Sequence, residues 1–137
     1  MTRDDTLQLL HEYVESESLL RHCYAVEAVM RSYAEKYKED PELWGIAGLI
    51  HDFDYEKFPD KHPFKGVEIL QEKGYADEII QAILGHAVYS GVPRESQMAK
   101  CLFSVDELCG FIMACALIRP EKLNGLKPKS VKKRLKT

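Results

Sequence analysis

The sequence predicts an all-α fold, and three observations carry the prediction. Helical periodicity runs through most of the chain, strand-like alternation is nearly absent, and the apolar stripes are separated by short connections rich in Gly and Pro. At 137 residues, 45% apolar and 30% charged, the chain fits one soluble domain large enough to bury a core. About six helices, packed as an irregular bundle, are expected.

The elements follow in order. A short first helix runs from about Asp4 to Val14. A longer second helix starts after Ser16 or Ser18 as cap and carries Leu19, His22, Cys23, Val26, Val29, Met30, Tyr33 and Tyr37. Pro41 suits the first turn of a third helix, on which Trp44, Ala47, Ile50 and His51 lie on adjoining faces. A loop from Phe53 to Lys61 follows, with Pro59 and alternating charge. The fourth helix begins near Pro63 and stops at Gly74. Asp77 opens the fifth, with Ile79, Ile80, Ile83, Leu84 and His86 on and around one stripe. After a loop from Tyr89 to Pro93, a long sixth helix extends from about Glu95 to Ile118, where Arg119-Pro120 ends it.

Composition narrows the function classes. No apolar run reaches the ~18 residues of a membrane helix, and Met1–Leu10 has adjacent acids and no apolar signal-peptide region. Cys23, Cys101, Cys109 and Cys115 form no CxxC pair and read as small buried hydrophobes in a reducing compartment. The expected location is the cytoplasm. The net charge of −3 conceals an asymmetry: from Arg119 onward eight Lys or Arg, Lys136 among them, stand against Glu121 alone. Such a tail suits contact with phosphate, contact with the acidic body of the chain, or plain solvation. It lacks interleaved aromatics, which argues against general nucleic-acid binding.

The sharpest signal is where the ionisable residues fall. His22 precedes Val26 and Val29 by four and seven positions. His51 follows Ala47 and Trp44 by four and seven, and His86 follows Ile83 and Ile79 by three and seven. Asp106 follows Leu102 by four and precedes Cys109 by three. Four helices therefore each direct a histidine or carboxylate towards the core, where an unpartnered charge costs several kcal/mol. A lone buried His is ordinarily just hydrogen-bonded. Convergence of four, with His51 and Asp52 adjacent at a helix end, instead suggests a mixed N/O shell for a divalent transition metal.

This pattern resembles the HD superfamily of metal-dependent phosphohydrolases. The resemblance rests on the His22 helix, on "GLIHDFDY" with His51-Asp52, and on Asp106 in "LFSVDELCGFI", and it spans roughly residues 18 to 120. "HPFKGVEIL" and "AILGHAVYSG" look like the extra histidines of two-metal members. "DELCGFIMACALIRP" and "KSVKKRLK" look like a small bacterial, HDIG-like subgroup, in which further sequence follows the basic segment. The resemblance implies one HD domain over residues 1–137, with a basic C-terminal segment at 119–137. It implies a first metal on His22, His51, Asp52 and Asp106, with Asp52 able to bridge to a second. His62 and His86 would bind that second ion, or contact substrate phosphate. One or two ions of Mn, Fe, Co, Ni or Zn suit such ligands.

The implied activity is hydrolysis of a nucleotide or other small phosphoester by a metal-activated water, with Asp52 and Asp54 as catalytic candidates. Asp54 could orient that water or a ligand histidine, or lie in solvent as a loop acid. Lys57, Lys65, Arg94 and Arg119 are candidates to neutralise substrate phosphate. Tyr55, Phe58 and Tyr89 could line the pocket. His86 is followed by Ala87 and no Gly-Tyr-Pro occurs, which counts against cyclic dinucleotides; Phe53-Asp54-Tyr55-Glu56 lacks the acidic pair of alarmone hydrolases. The alternatives are a nucleotide-binding or sensor module that keeps the metal site without turnover, and a helical scaffold with hydrogen-bonded histidines. A homo-oligomer remains open.

Overall fold

The computed structural model describes residues 1–135, so Lys136 lies outside the described residues. It is all-helical: α1 (Arg3–Tyr13), α2 (Glu17–Lys36), α3 (Pro41–Ile50), α4 (Phe64–Glu72), α5 (Asp77–His86), α6 (Gln97–Leu117) and α7 (Pro128–Leu135). Short 3-10 turns occupy Pro59–Lys61, inside the loop expected from Phe53 to Lys61, and Val88–Ser90, which begins one residue before the loop expected from Tyr89 to Pro93.

Local chemistry sets the helix ends. Thr2 and Asp5 form a reciprocal capping box on α1, and Ser16, Asp40 and Ser96 accept backbone N–H groups at the starts of α2, α3 and α6. Gly74, at φ 84°, occupies the left-handed conformation that ends α4. The expected six helices become seven because the basic segment forms α7. Its start matches Pro128, but only Val131 on it is buried, so it shows no apolar stripe that periodicity would register.

The core is organised around α3. All its residues from Trp44 to Ile50 are buried, and it packs chiefly on α2, with α1 and α5 also against it. Gly48 permits that closeness: a Cβ there would stand 3.0 Å from the Glu27 Cα and the Val26 carbonyl oxygen. The α5–α6 and α2–α6 contacts complete the bundle, bringing α2, α3, α5 and α6 around a common interior. Among the described residues no helix is long and apolar enough to cross a membrane. All four cysteines are unpaired; Cys23, Cys109 and Cys115 are buried.

Glu27, on the buried side of α2, is held by Arg3 at 2.6 Å and by Arg31 at 3.0 Å, and Arg31 also reaches Glu42 at 2.9 Å. The Glu27 side chain is 6% exposed, against 40% for Arg3 and 27% for Arg31. Glu27→Ala removes the carboxylate that Arg3 and Arg31 share at the junction of α1, α2 and α3, leaving Arg31 its bond to Glu42. Because solvent screens Arg3, we expect a loss of about 2–3 kcal/mol, below the ~3–5 kcal/mol of a fully buried pair. Urea unfolding of the variant against the parent checks this.

Candidate metal centre

The helices supply the donor atoms as follows. His22 projects from the second turn of α2 and Asp106 from the middle of α6. His51 is the residue that caps α3 and Asp52 is the next in the chain. The chain turns away there, so the two neighbours can face the same interior despite the ~100° that separates consecutive helical residues. His86 is the last residue of α5, and His62 follows the 3-10 turn before α4.

These side chains meet. His22 Nε2 lies 2.7 Å from Asp106 Oδ1 and 3.8 Å from Asp52 Oδ2. His51 Nε2 lies 3.1 Å from both Asp106 Oδ1 and Asp52 Oδ2. The other Asp52 oxygen, Oδ1, faces His62 Nε2 at 3.3 Å and His86 Nε2 at 3.1 Å. Two donor groups result: His22, His51, Asp52 and Asp106, and Asp52, His62 and His86, the donor atoms of each lying within 4.8 Å of one another. Asp52 belongs to both, with one oxygen turned to each.

The donor chemistry fits a divalent ion. His51 Nδ1 donates to the Gly48 carbonyl at 2.7 Å, and His86 Nδ1 donates to the Ile83 carbonyl. A carbonyl only accepts, so each neutral ring must carry its lone pair on Nε2. Those lone pairs face carboxylate oxygens, acceptor against acceptor, an arrangement that needs a proton or a cation between them. Atoms held about 2.0–2.2 Å from one ion sit about 3.0–3.5 Å apart, close to the spacings here. Cys23 lies nearby, but burial pushes its thiol up to about 11, so it offers no thiolate at neutral pH.

Without an ion, charge within the group is carried by protons. Burial disfavours the His51 imidazolium, yet the Asp52 charge and hydrogen bonds to Asp106 and Asp52 outweigh it and hold its pKa well above the ordinary histidine value. Burial likewise opposes ionisation of Asp52 and Asp106, but His51 holds Asp52, and His22 with His51 hold Asp106, below the usual carboxylate range.

Asp54 is 1% exposed, which disposes of the solvent-loop alternative. Its Oδ1 accepts from His62 Nδ1 at 2.6 Å and its Oδ2 from the Gly66 backbone N–H at 2.8 Å. It stands behind His62, fixing that ring with Nε2 towards Asp52. Gly66 has no room for a side chain: a Cβ would fall 2.8 Å from the Asp54 Cγ. Asp54→Asn keeps the Gly66 bond but loses the charge behind His62. Manganese titration is expected to show binding at the His62/His86 group weakened about 10- to 100-fold, and binding at the other group little changed.

The four cations proposed for phosphate are engaged elsewhere. Lys57 Nζ donates to the Glu12 carbonyl at 2.9 Å and covers the Tyr13 ring. Lys65 pairs with Glu68 at 3.6 Å. Arg94 donates to the Gly85 carbonyl at 2.8 Å and stacks on Phe103. Arg119 donates to the carbonyls of Lys122 and Asn124 and lines a separate cavity of about 400 Å³ with Ser130 and Lys133. None lines the groove of about 790 Å³ that has His22 in its wall. Of the aromatics, Tyr55 lines that groove and stands edge-on to His62 at 5.5 Å. The Tyr89 hydroxyl donates to the His62 carbonyl, and Phe58 packs against Tyr13. The sequence reading missed the backbone partners that orient the rings, the carbonyls of Gly48 and Ile83 and the N–H of Gly66. Backbone groups are common to every residue and leave no mark in a sequence.

Comparison with known proteins gives a curated relative and a family. A stretch of 86 residues is 31% identical to an uncharacterised protein of Methanocaldococcus jannaschii, covering 58% of this chain and 50% of that protein. The chain thus spans about half the length of that relative. No solved structure matches the chain. The HD domain profile matches residues 19–109, which takes in His22, His51, Asp52, His62, His86 and Asp106. With two thirds of its length covered by that match, this chain belongs to the HD domain family.

Proposed function

We propose that this protein is a metal-dependent phosphohydrolase acting on a nucleotide or other small phosphoester. The single observation that supports this best is the position of Asp52, whose two oxygens are turned to two separate donor groups built from four histidines and Asp106. HD domains are metal-dependent hydrolases as a family, and the residues present suit one or two divalent ions.

His22, His51, Asp52 and Asp106 would hold one ion, and Asp52, His62 and His86 a second. Bound there, such ions supply a water activated at neutral pH and a positive clamp on phosphoryl oxygens. The chain's own groups prepare that chemistry. The Gly48 and Ile83 carbonyls fix the tautomers of His51 and His86, and Asp54 fixes His62, so these three rings need not reorient as substrate arrives. The wide groove beside His22 admits a substrate from solvent, and the aromatic face of Tyr55 stands at its edge. The phosphate-binding role proposed for Lys57, Lys65, Arg94 and Arg119 receives no support from their contacts, so phosphate charge falls to the metal centre.

The test is phosphate release from a panel of nucleotides and an aryl phosphate, with Mn, Co or Ni added in turn. Turnover with at least one pair, abolished by chelator and restored by metal, is the expected result. Absence of turnover across the panel with fully loaded protein would sink the reading.

A further inference from the structure

The groove that has His22 in its wall is lined by more acid than base, which disfavours a polyphosphate. Its charged lining residues, among those described, are Glu17, Glu56 and Arg21. Glu56 is fixed in place: its two carboxylate oxygens accept the backbone N–H groups of Glu15 and Ser16 at 2.8 and 2.9 Å. It cannot swing aside to admit an anion without giving up both bonds. Arg21 and Glu17 are both largely exposed and face each other at 3.5 Å, each offsetting the other, so the net charge of the lining is that of Glu56. The remainder of the lining is uncharged apart from His22, with Leu19, Met113 and Leu117 as apolar wall and Ser16, Ser18 and the Tyr55 ring as polar or aromatic contacts. Lys57, Lys65, Arg94 and Arg119 do not line it.

From this we propose that the substrate is a phosphomonoester of an uncharged, partly apolar alcohol, such as a nucleoside. Its single phosphate sits at the metal centre and its alcohol portion in the groove, while the net negative lining disfavours the added phosphates of di- and triphosphates. The proposal rests on the hydrolase reading above. In the reaction the water oxygen forms the new P–O bond, the ester P–O bond breaks, and the alkoxide leaves with a proton from that water, giving free alcohol and inorganic phosphate. Glu17 is a specificity residue in this scheme. Like charges placed opposite a ligand discriminate against it even when they add nothing to the affinity of the right one.

The experiment compares kcat/KM for a nucleoside monophosphate and the triphosphate of the same nucleoside, at one fixed free manganese concentration. A preference for the monophosphate of roughly tenfold or more is expected, shrinking about threefold or more in Glu17→Lys and less in Glu17→Gln, mainly through KM for the triphosphate. Equal or better use of the triphosphate would overturn the proposal, as would a preference unmoved in both variants. Should the loaded protein hydrolyse neither nucleotide, the wider panel above decides the hydrolase reading, and calorimetric titration decides the groove. Tighter binding of the monophosphate supports the charge assignment; tighter binding of the triphosphate, or no binding of either, overturns it.

Discussion

Asp52→Asn is expected to lower metal-dependent phosphate release by at least about 10³-fold, equivalent to about 4 kcal/mol of transition-state stabilisation. The size follows from the double role of the side chain. Its Oδ2 faces His51 and His22, and its Oδ1 faces His62 and His86, so one substitution degrades both donor groups. An asparagine can present its oxygen to only one side, and turns an N–H₂ donor towards the other, where a cation is unwelcome beside it. The lost negative charge also removes a chief support of the His51 imidazolium in the ion-free protein. The effect should exceed that of Asp54→Asn, which acts through His62 alone. Circular dichroism confirms the fold, and steady-state kinetics at several metal concentrations separate weaker binding from slower turnover. Activity within tenfold of the parent at saturating metal would remove Asp52 from the mechanism.

Metal removal should have the second large effect, this time on stability. Six side chains, from α2, the end of α3, α5, α6 and the connection between α3 and α4, meet at the centre, and an ion that joins them binds the folded chain alone. At a free metal concentration 1,000 times its Kd, the linkage is worth about 4 kcal/mol. For a domain of this size that corresponds to roughly 10 °C or more in Tm. Differential scanning calorimetry before and after chelation, with elemental analysis of the same samples, checks both the shift and the count of ions. The apparent affinity has a definite pH direction as well. His51 is held above its ordinary pKa without metal, so the ion must displace its proton, and binding weakens as the pH falls through the range where His51 protonates. A Tm indifferent to chelator and to added Mn, Co, Ni or Zn would mean that the histidines are only hydrogen-bonded core residues.

The difference between what the sequence discloses and what it withholds is clearest at individual residues. The apolar stripes of α2, α5 and α6 are local patterns, and each fixes which way its own His or Asp must point. Glu27 was equally legible, four positions after Cys23 and three before Met30, yet its inward direction was not read. Lys57, Lys65, Arg94 and Arg119 stand out in the sequence by charge alone, but long cationic side chains go wherever a carbonyl or a ring lies within reach. Those partners belong to other elements: Glu12 for Lys57, Phe103 for Arg94. The helix α7 escaped because the apolar face it lacks is the one periodicity detects.

By itself the sequence determined the helical class, the ends of most helices and the inward direction of His22, His51, His86 and Asp106, since periodicity and capping act within a few residues of chain. Only the tertiary structure decided that both oxygens of Asp52 are shared between two groups, that Asp54 stands behind His62, and that the groove beside His22 is lined with more acid than base. Those facts depend on angles between helices and on the course of the turn after α3. Such quantities are set by side-chain packing across the whole bundle, not by the spacing of residues along any one helix.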